Sequence, residues 1–163
     1  MSDASILSDH VREEIDRWRA RFPEDRQRSA VIGALHAAQH ENDGYLTVEL
    51  MNGVAEYLDL PTIQVYEVAT FYSMFQTKPV GRHNVAICTN VSCMLRGADD
   101  IVEHVEKKLG IKTGESTPDG KVYLKKEEEC LAACCGAPMM MVDHKYYEHL
   151  TPEMVDAILD GLE

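Results

Sequence analysis

The sequence predicts an α+β chain, a bundle of helices followed by a small α/β layer. Three observations predict it. Up to about Phe75, apolar residues recur three and four positions apart, the period of a helix. Beyond Gly81, short runs alternate between apolar and polar, the period of a strand, with helical stretches between them. A turn-forming segment, Thr77-Lys78-Pro79-Val80-Gly81-Arg82, separates the two regimes and marks a domain boundary, with residues 1–80 on one side and 81–163 on the other.

Each element has its own local reason. Val11, Ile15, Trp18 and Phe22 form one apolar stripe behind a candidate cap at Ser8, and Pro23 stops that helix. A second helix is predicted from Arg28 to about His40, with Val31, Leu35 and Ala38 on one face and Asn42-Asp43-Gly44 closing it. Thr47 caps a third, carrying Val48, Met51, Val54 and Leu58. Pro61-Thr62 opens a fourth, in which Val65, Val68, Ala69 and Tyr72 line up.

After the boundary, His83 to Cys88 is predicted as a strand and Ala98 to Leu109 as a helix. Asp99 and Asp100 stand early in that helix, Lys107 and Lys108 late, and Gly110 just past its end, which suits the helix dipole and a glycine stop. Lys121 to Lys126, Met139 to Val142 and Tyr146 to Leu150 follow as strands, the last two joined by a turn at Asp143-His144-Lys145. Thr151-Pro152-Glu153 starts a closing helix to about Leu162. Such a mixture is a small α/β layer, thioredoxin-like in outline.

Composition excludes partners more than it names them. The formal net charge is −12, and hydrophobic residues at 45% with charged ones at 27% describe a globular chain rather than an acidic disordered tail. The charge divides evenly about residue 80, so no basic half exists to bind a nucleic-acid backbone. Arg17, Arg19, Arg21, Arg26 and Arg28 are interleaved with Glu13, Glu14, Asp16, Glu24 and Asp25, which makes a solvated or docking face. The start, Met1 to Asp9, has neither a basic nor an apolar leader segment, so a cytoplasmic location is expected. The longest uncharged apolar stretch, Cys130 to Val142, falls short of the ~18 residues a membrane-spanning helix needs, and direct insertion is not expected.

The cysteines are the informative residues. All five lie between Cys88 and Cys135. In a reducing compartment, clustered thiols point to metal binding or redox chemistry rather than to structural disulfides. Cys88-Thr89-Asn90-Val91-Ser92-Cys93 stands where a strand leaves its sheet, and Cys130-Leu131-Ala132-Ala133-Cys134 between two later strands. Loops so placed in an α/β layer emerge at one end of the sheet, and four thiolates suit either zinc or a [2Fe–2S] cluster. The gaps of four and three residues are wider than the C-x₂-C knuckle of zinc ribbons. No Lys or Arg lies in either loop, and Ala132, Ala133, Gly136 and Ala137 are small enough for backbone N–H groups to approach sulfur. Spacing favours the cluster and leaves zinc, and unligated thiols, open.

Cys-x₄-Cys followed by Cys-x₃-Cys in such a layer resembles the small [2Fe–2S] subunit of NADH:quinone oxidoreductase, respiratory complex I. The resemblance extends to Val68-Ala69-Thr70-Phe71-Tyr72, Pro79-Val80-Gly81-Arg82-His83 and Gly136-Ala137-Pro138-Met139-Met140, and spans about Arg28 to the C-terminus. It implies a helical N-terminal domain joined to a thioredoxin-like ferredoxin domain, with Cys88, Cys93, Cys130 and Cys134 as cluster ligands and Cys135 outside the set. It also implies that FMN and NADH are held by a larger partner subunit, among other subunits of the peripheral arm, and that this chain carries no substrate site of its own. Peripheral attachment to the inner membrane through the complex follows from the same resemblance. The equivalent subunit of an NAD-linked hydrogenase or formate dehydrogenase, and a structural zinc-binding adaptor, are the competing readings. The sequence has neither G-x-G-x-x-G after a strand nor G-x-x-x-x-G-K-[ST], so no nucleotide cradle is expected on it.

Other chemistries fit less well. Thioredoxin-type exchange needs a resolving thiol close to the attacking one, and the first strand–helix junction has no C-x₂-C. Nothing pairs His83, His144 or His149 with a cysteine for hydrolysis. Met139-Met140-Met141 is explained better by alternation on a buried strand than by copper ligation.

Overall fold

In the computed structural model, which describes residues 6–126 and 130–163, the first helix starts where Ser8 caps it. The Ser8 hydroxyl accepts the Val11 N–H at 3.1 Å and donates to Glu41 at 2.8 Å, tying the start of α1 (Asp9–Arg19) to the end of α2 (Val31–Glu41). The chain enters α2 from a 3₁₀ turn, Glu24–Ala30, interrupted by the extended φ of −124° at Arg26. The helix expected from Arg28 therefore begins at Val31, where no side chain caps it. Thr47 accepts the Leu50 N–H at 3.2 Å at the head of α3 (Val48–Tyr57), and Pro61 precedes α4 (Thr62–Phe71).

The apolar stripes of these helices close on one another: Val11, Ile15, Leu35, Ala38, Leu46, Val54 and Val65 are all buried in one cluster. Each side chain of Val or Leu size contributes about 1.5–3 kcal/mol by leaving water. Gln39 fastens the end of this unit, donating to the Met74 carbonyl at 3.1 Å and accepting the Gln76 N–H at 2.7 Å. The unit runs from Met1 to Pro79, and a second compact unit runs from Val80 to Glu163.

The second unit is a mixed four-stranded sheet in the order β2-β1-β3-β4, comprising β1 (His83–Ile87), β2 (Val122–Leu124), β3 (Met140–Val142) and β4 (Lys145–Tyr147). Strand β2 is parallel to β1, with His83 opposite Val122 and Val85 opposite Leu124. Strand β3 is antiparallel to β1, with Ile87 opposite Met140, and β4 is antiparallel to β3. A short helix α5 (Val91–Met94) and the longer α6 (Ala98–Leu109) follow β1, and α7 (Pro152–Asp160) closes the chain. Helix α6 spans the residues expected, with Gly110 left-handed at φ 69° as its stop.

Val85, Ile101, Val105, Leu124, Met140, Val142, Val155 and Leu159 form the core of this unit. Beside it lies a separate small cluster of Cys88, Cys93, Ala98, Leu131, Ala137 and Met139. The methionines alternate between the two: Met140 packs in the sheet core, while Met139 and Met141 pack with the cysteines. The fold is α+β, with the N-terminal helices and the thioredoxin-like layer expected from the sequence.

Candidate metal centre

Sheet direction brings the cysteine loops together. Strands β1 and β2 run parallel and finish at the end where the antiparallel β3 begins, so Cys88, the residues just after β2, and Met139 share that end. Cys88 donates its N–H to the Met139 carbonyl at 3.2 Å, extending the β1–β3 pairing to the first cysteine. Asn90 caps α5 by accepting the Val91 N–H at 2.8 Å, and this one turn of helix carries Cys93. Cys88 and Cys93 are both 2% exposed.

The second loop is held by its backbone rather than by burial. Cys130 and Cys134 are exposed, while Leu131 between them is buried. Ala132 adopts a left-handed φ of 59°, and its N–H donates to the Cys130 sulfur at 3.3 Å. A 3₁₀ turn, Cys134–Gly136, follows, with the Gly136 N–H on the Ala133 carbonyl at 3.0 Å. His149 and Leu150 then donate their N–H groups to the carbonyls of Gly136, at 2.6 Å, and Pro138, at 3.0 Å, seating the loop against the chain that leads into α7.

Cys88 lies within hydrogen-bonding reach of Cys93 and Cys130, and the charge of Cys134 acts on Cys93. Burial pushes the Cys88 thiol up, yet the N–H groups of Leu131 and Asn90, with the Cys93 and Cys130 thiols in hydrogen-bonding reach, outweigh it and leave its pKa lowered. Burial pushes Cys93 up to about 11, assisted by a hydrogen bond and the charge of Cys88, against the N–H of Met139; the charge of Cys134 adds to the rise. One ionised thiol thus opposes ionisation of the next. Among the described residues, no group of three or more His, Cys, Asp or Glu side chains is arranged as it would be to hold a metal ion. Cys135 is also exposed.

The donor set fits an iron–sulfur cluster. It supplies four thiol sulfurs, two from each loop; the Ala132 N–H donates to the Cys130 sulfur, and the backbone of Asn90 and Leu131 favours the Cys88 thiolate as that of Met139 favours Cys93. These donors stabilise thiolate, and they are what the spacing alone did not disclose. Asn90 as a cap is visible in the order Asn-Val before a helical turn. Ala132 is not, because its left-handed backbone has no signal in a residue type that normally avoids it.

The model of the thioredoxin-like [2Fe–2S] ferredoxin family matches residues 15–163. The chain belongs to that family. Among related ferredoxin proteins, the E subunit of the NADH-quinone oxidoreductase of Rickettsia bellii (strain RML369-C) is 46% identical over 142 residues, covering 87% of this chain and 84% of the relative. The second E subunit of the same enzyme in Rhizobium meliloti (strain 1021) is 44% identical over 151 residues, covering 93% and 88%. An NAD⁺-reducing [NiFe]-hydrogenase in its air-oxidised state shares the ferredoxin fold at a TM-score of 0.67 and 21% identity, over 78% of this chain and 22% of the hydrogenase chain. Among the described residues, no helix is long and apolar enough to cross a membrane.

Proposed function

We propose that this chain is the [2Fe–2S] electron-transfer subunit of an NADH:quinone oxidoreductase, with Cys88, Cys93, Cys130 and Cys134 as the cluster ligands. The observation that supports the reading is that Cys88 lies within hydrogen-bonding reach of a thiol from each cysteine loop, Cys93 and Cys130, with the Ala132 N–H on the Cys130 sulfur. The names of the relatives, which match this chain over most of its length, supply the enzyme. When bound, the cluster contributes one-electron redox chemistry. The protein's own part is to hold it: β1 and α5 fix two sulfurs in a buried wall, and the loop around Ala132 supplies two more from the exposed side.

The electron partner in this reading is the FMN of a larger NADH-binding subunit, and the chain attaches to the membrane only through the assembled peripheral arm. Val91, Met94 and Leu95, on and just after α5, are exposed beside Cys93, an apolar rim suited to docking such a partner. Residues through Pro79 serve as a helical domain and those from Val80 as the ferredoxin domain. The same placement would serve the diaphorase part of an NAD-linked hydrogenase, a fold likeness that stands second to the sequence identity with the quinone-enzyme relatives.

The test is electron transfer between chains. The purified chain is reduced with dithionite, freed of excess reductant, and mixed with the oxidised flavin-bearing partner. Loss of the cluster's spin signal together with loss of flavin absorbance is the expected result. A complex that forms without electron transfer overturns the role.

A further inference from the structure

At the sheet end opposite the cysteines, His83 is enclosed by acceptors. Its Nδ1 lies 2.5 Å from the Asp143 carboxylate, in the β3–β4 turn, and its Nε2 lies 2.8 Å from the main-chain oxygen of Glu163, beyond the end of α7. An ionised carboxylate and a main-chain oxygen both only accept, so each ring nitrogen must carry a proton to satisfy this arrangement. A neutral imidazole has one N–H and leaves one of these contacts as two facing lone pairs.

We infer that His83 is a pH-dependent clasp, fastening the chain after α7 to the start of β1 as an imidazolium and releasing it when the ring becomes neutral. Asp143 is the fixed side of the clasp. Its other carboxylate oxygen accepts the Asn84 N–H at 2.8 Å, and its own N–H donates to the Asn84 carbonyl at 3.2 Å. Among the described residues no hydrogen bond backs the Glu163 oxygen in this way, so the neutral ring keeps its proton on Nδ1 and gives up Glu163. Release reaches the core, because Leu162 is half-buried against the sheet cluster.

The charged groups around the ring set the direction. The hydrogen bond to Asp143, then that to the Glu163 main chain, raise the His83 pKa above its usual value; partial burial lowers it, the charge of Asp143 raises it, and Arg82 lowers it. The clasp therefore contributes its full stability below the unfolded value of about 6.5 and loses it as pH rises through the folded value. The switch is a closed clasp in mildly acid solution and an open one in alkaline solution.

The test uses the full chain with ¹⁵N-labelled histidine. Below about pH 6.5 both His83 ring nitrogens carry protons, the ring titrates above about 6.5, and Asp143→Asn lowers that titration. Over the same pH range, amide exchange at Leu162 and Glu163 rises several-fold more than at Val105 in α6, whereas His83→Gln, which cannot titrate, removes the extra rise. A ring that titrates at or below about 6.5, or exchange near Glu163 that depends on pH identically in the chain and in His83→Gln, overturns the clasp.

Discussion

The two cysteine loops reach the same sheet end by opposite means. Cys88 continues a strand paired on both edges and Cys93 sits in a capped helical turn, both buried at 2% exposure. Cys130 and Cys134 are exposed and depend on a left-handed alanine, a 3₁₀ turn and main-chain bonds to His149 and Leu150. The first loop is placed by packing, the second by backbone hydrogen bonds. In the proposed site one pair of ligands is therefore buried and the other open to solvent.

That comparison makes its largest prediction for the ligands. Replacing Cys88 or Cys134 by Ser abolishes or shifts the reduced-cluster spin signal despite their different burial, while Cys135→Ser leaves it nearly unchanged. Comparable loss from Cys134→Ser and Cys135→Ser breaks the assignment.

The next effect is on folding. Met139 is 0% exposed and stands between the loops, its carbonyl on the Cys88 N–H and its side chain among Leu131, Cys93 and Ala98. Met139→Ala costs about 2–5 kcal/mol, measured by urea unfolding of the cluster-free chain.

A difference in thiol reactivity sharpens the contrast. In the cluster-free chain, iodoacetamide modifies Cys130, Cys134 and Cys135 readily at neutral pH. Cys93 resists until the pH approaches its pKa of about 11, because only the thiolate attacks. Mass mapping of the modified chain reads the order, and loading the cluster leaves Cys135 as the reactive member of the exposed group.

The smallest effect lies in the backbone of the second loop. Ala132 at φ 59° carries a left-handed cost of about 1–2 kcal/mol, partly offset by the entropy that glycine loses on folding. Ala132→Gly is expected to stabilise the cluster-free chain by about 0.5–1 kcal/mol, and Ala132→Val to destabilise it. No change from either substitution would show that the loop is not held in this conformation before metal binds.

The sequence disclosed most where one residue type has one local use. Ser8, Thr47 and Gly110 act as caps and stop in the places expected, because capping needs only a side-chain oxygen or a left-handed residue. It disclosed less where distant chain decides. The strand expected over Tyr146–Leu150 is confined to Lys145–Tyr147, since His149 turns left-handed at φ 53° and gives its N–H to Gly136 of the second cysteine loop. Helix α5 is too short to show a period, and only Asn90 announces it. At the site, cysteine identity and spacing were legible from the pattern alone. The N–H groups of Leu131, Ala132 and Met139 were not, because any residue supplies an N–H and only the path of the chain aims it at sulfur.

The central claim is that four thiols hold one binuclear cluster, and the metal content of the purified chain tests it most directly. Anaerobically purified protein is assayed for iron, acid-labile sulfide and zinc, and its visible and electron-spin spectra are recorded before and after dithionite. Red-brown protein with iron and sulfide in equal amounts, about two of each per chain, and an axial or rhombic signal appearing only on reduction, is the predicted result. Colourless protein with about one zinc per chain and no signal on reduction would contradict it.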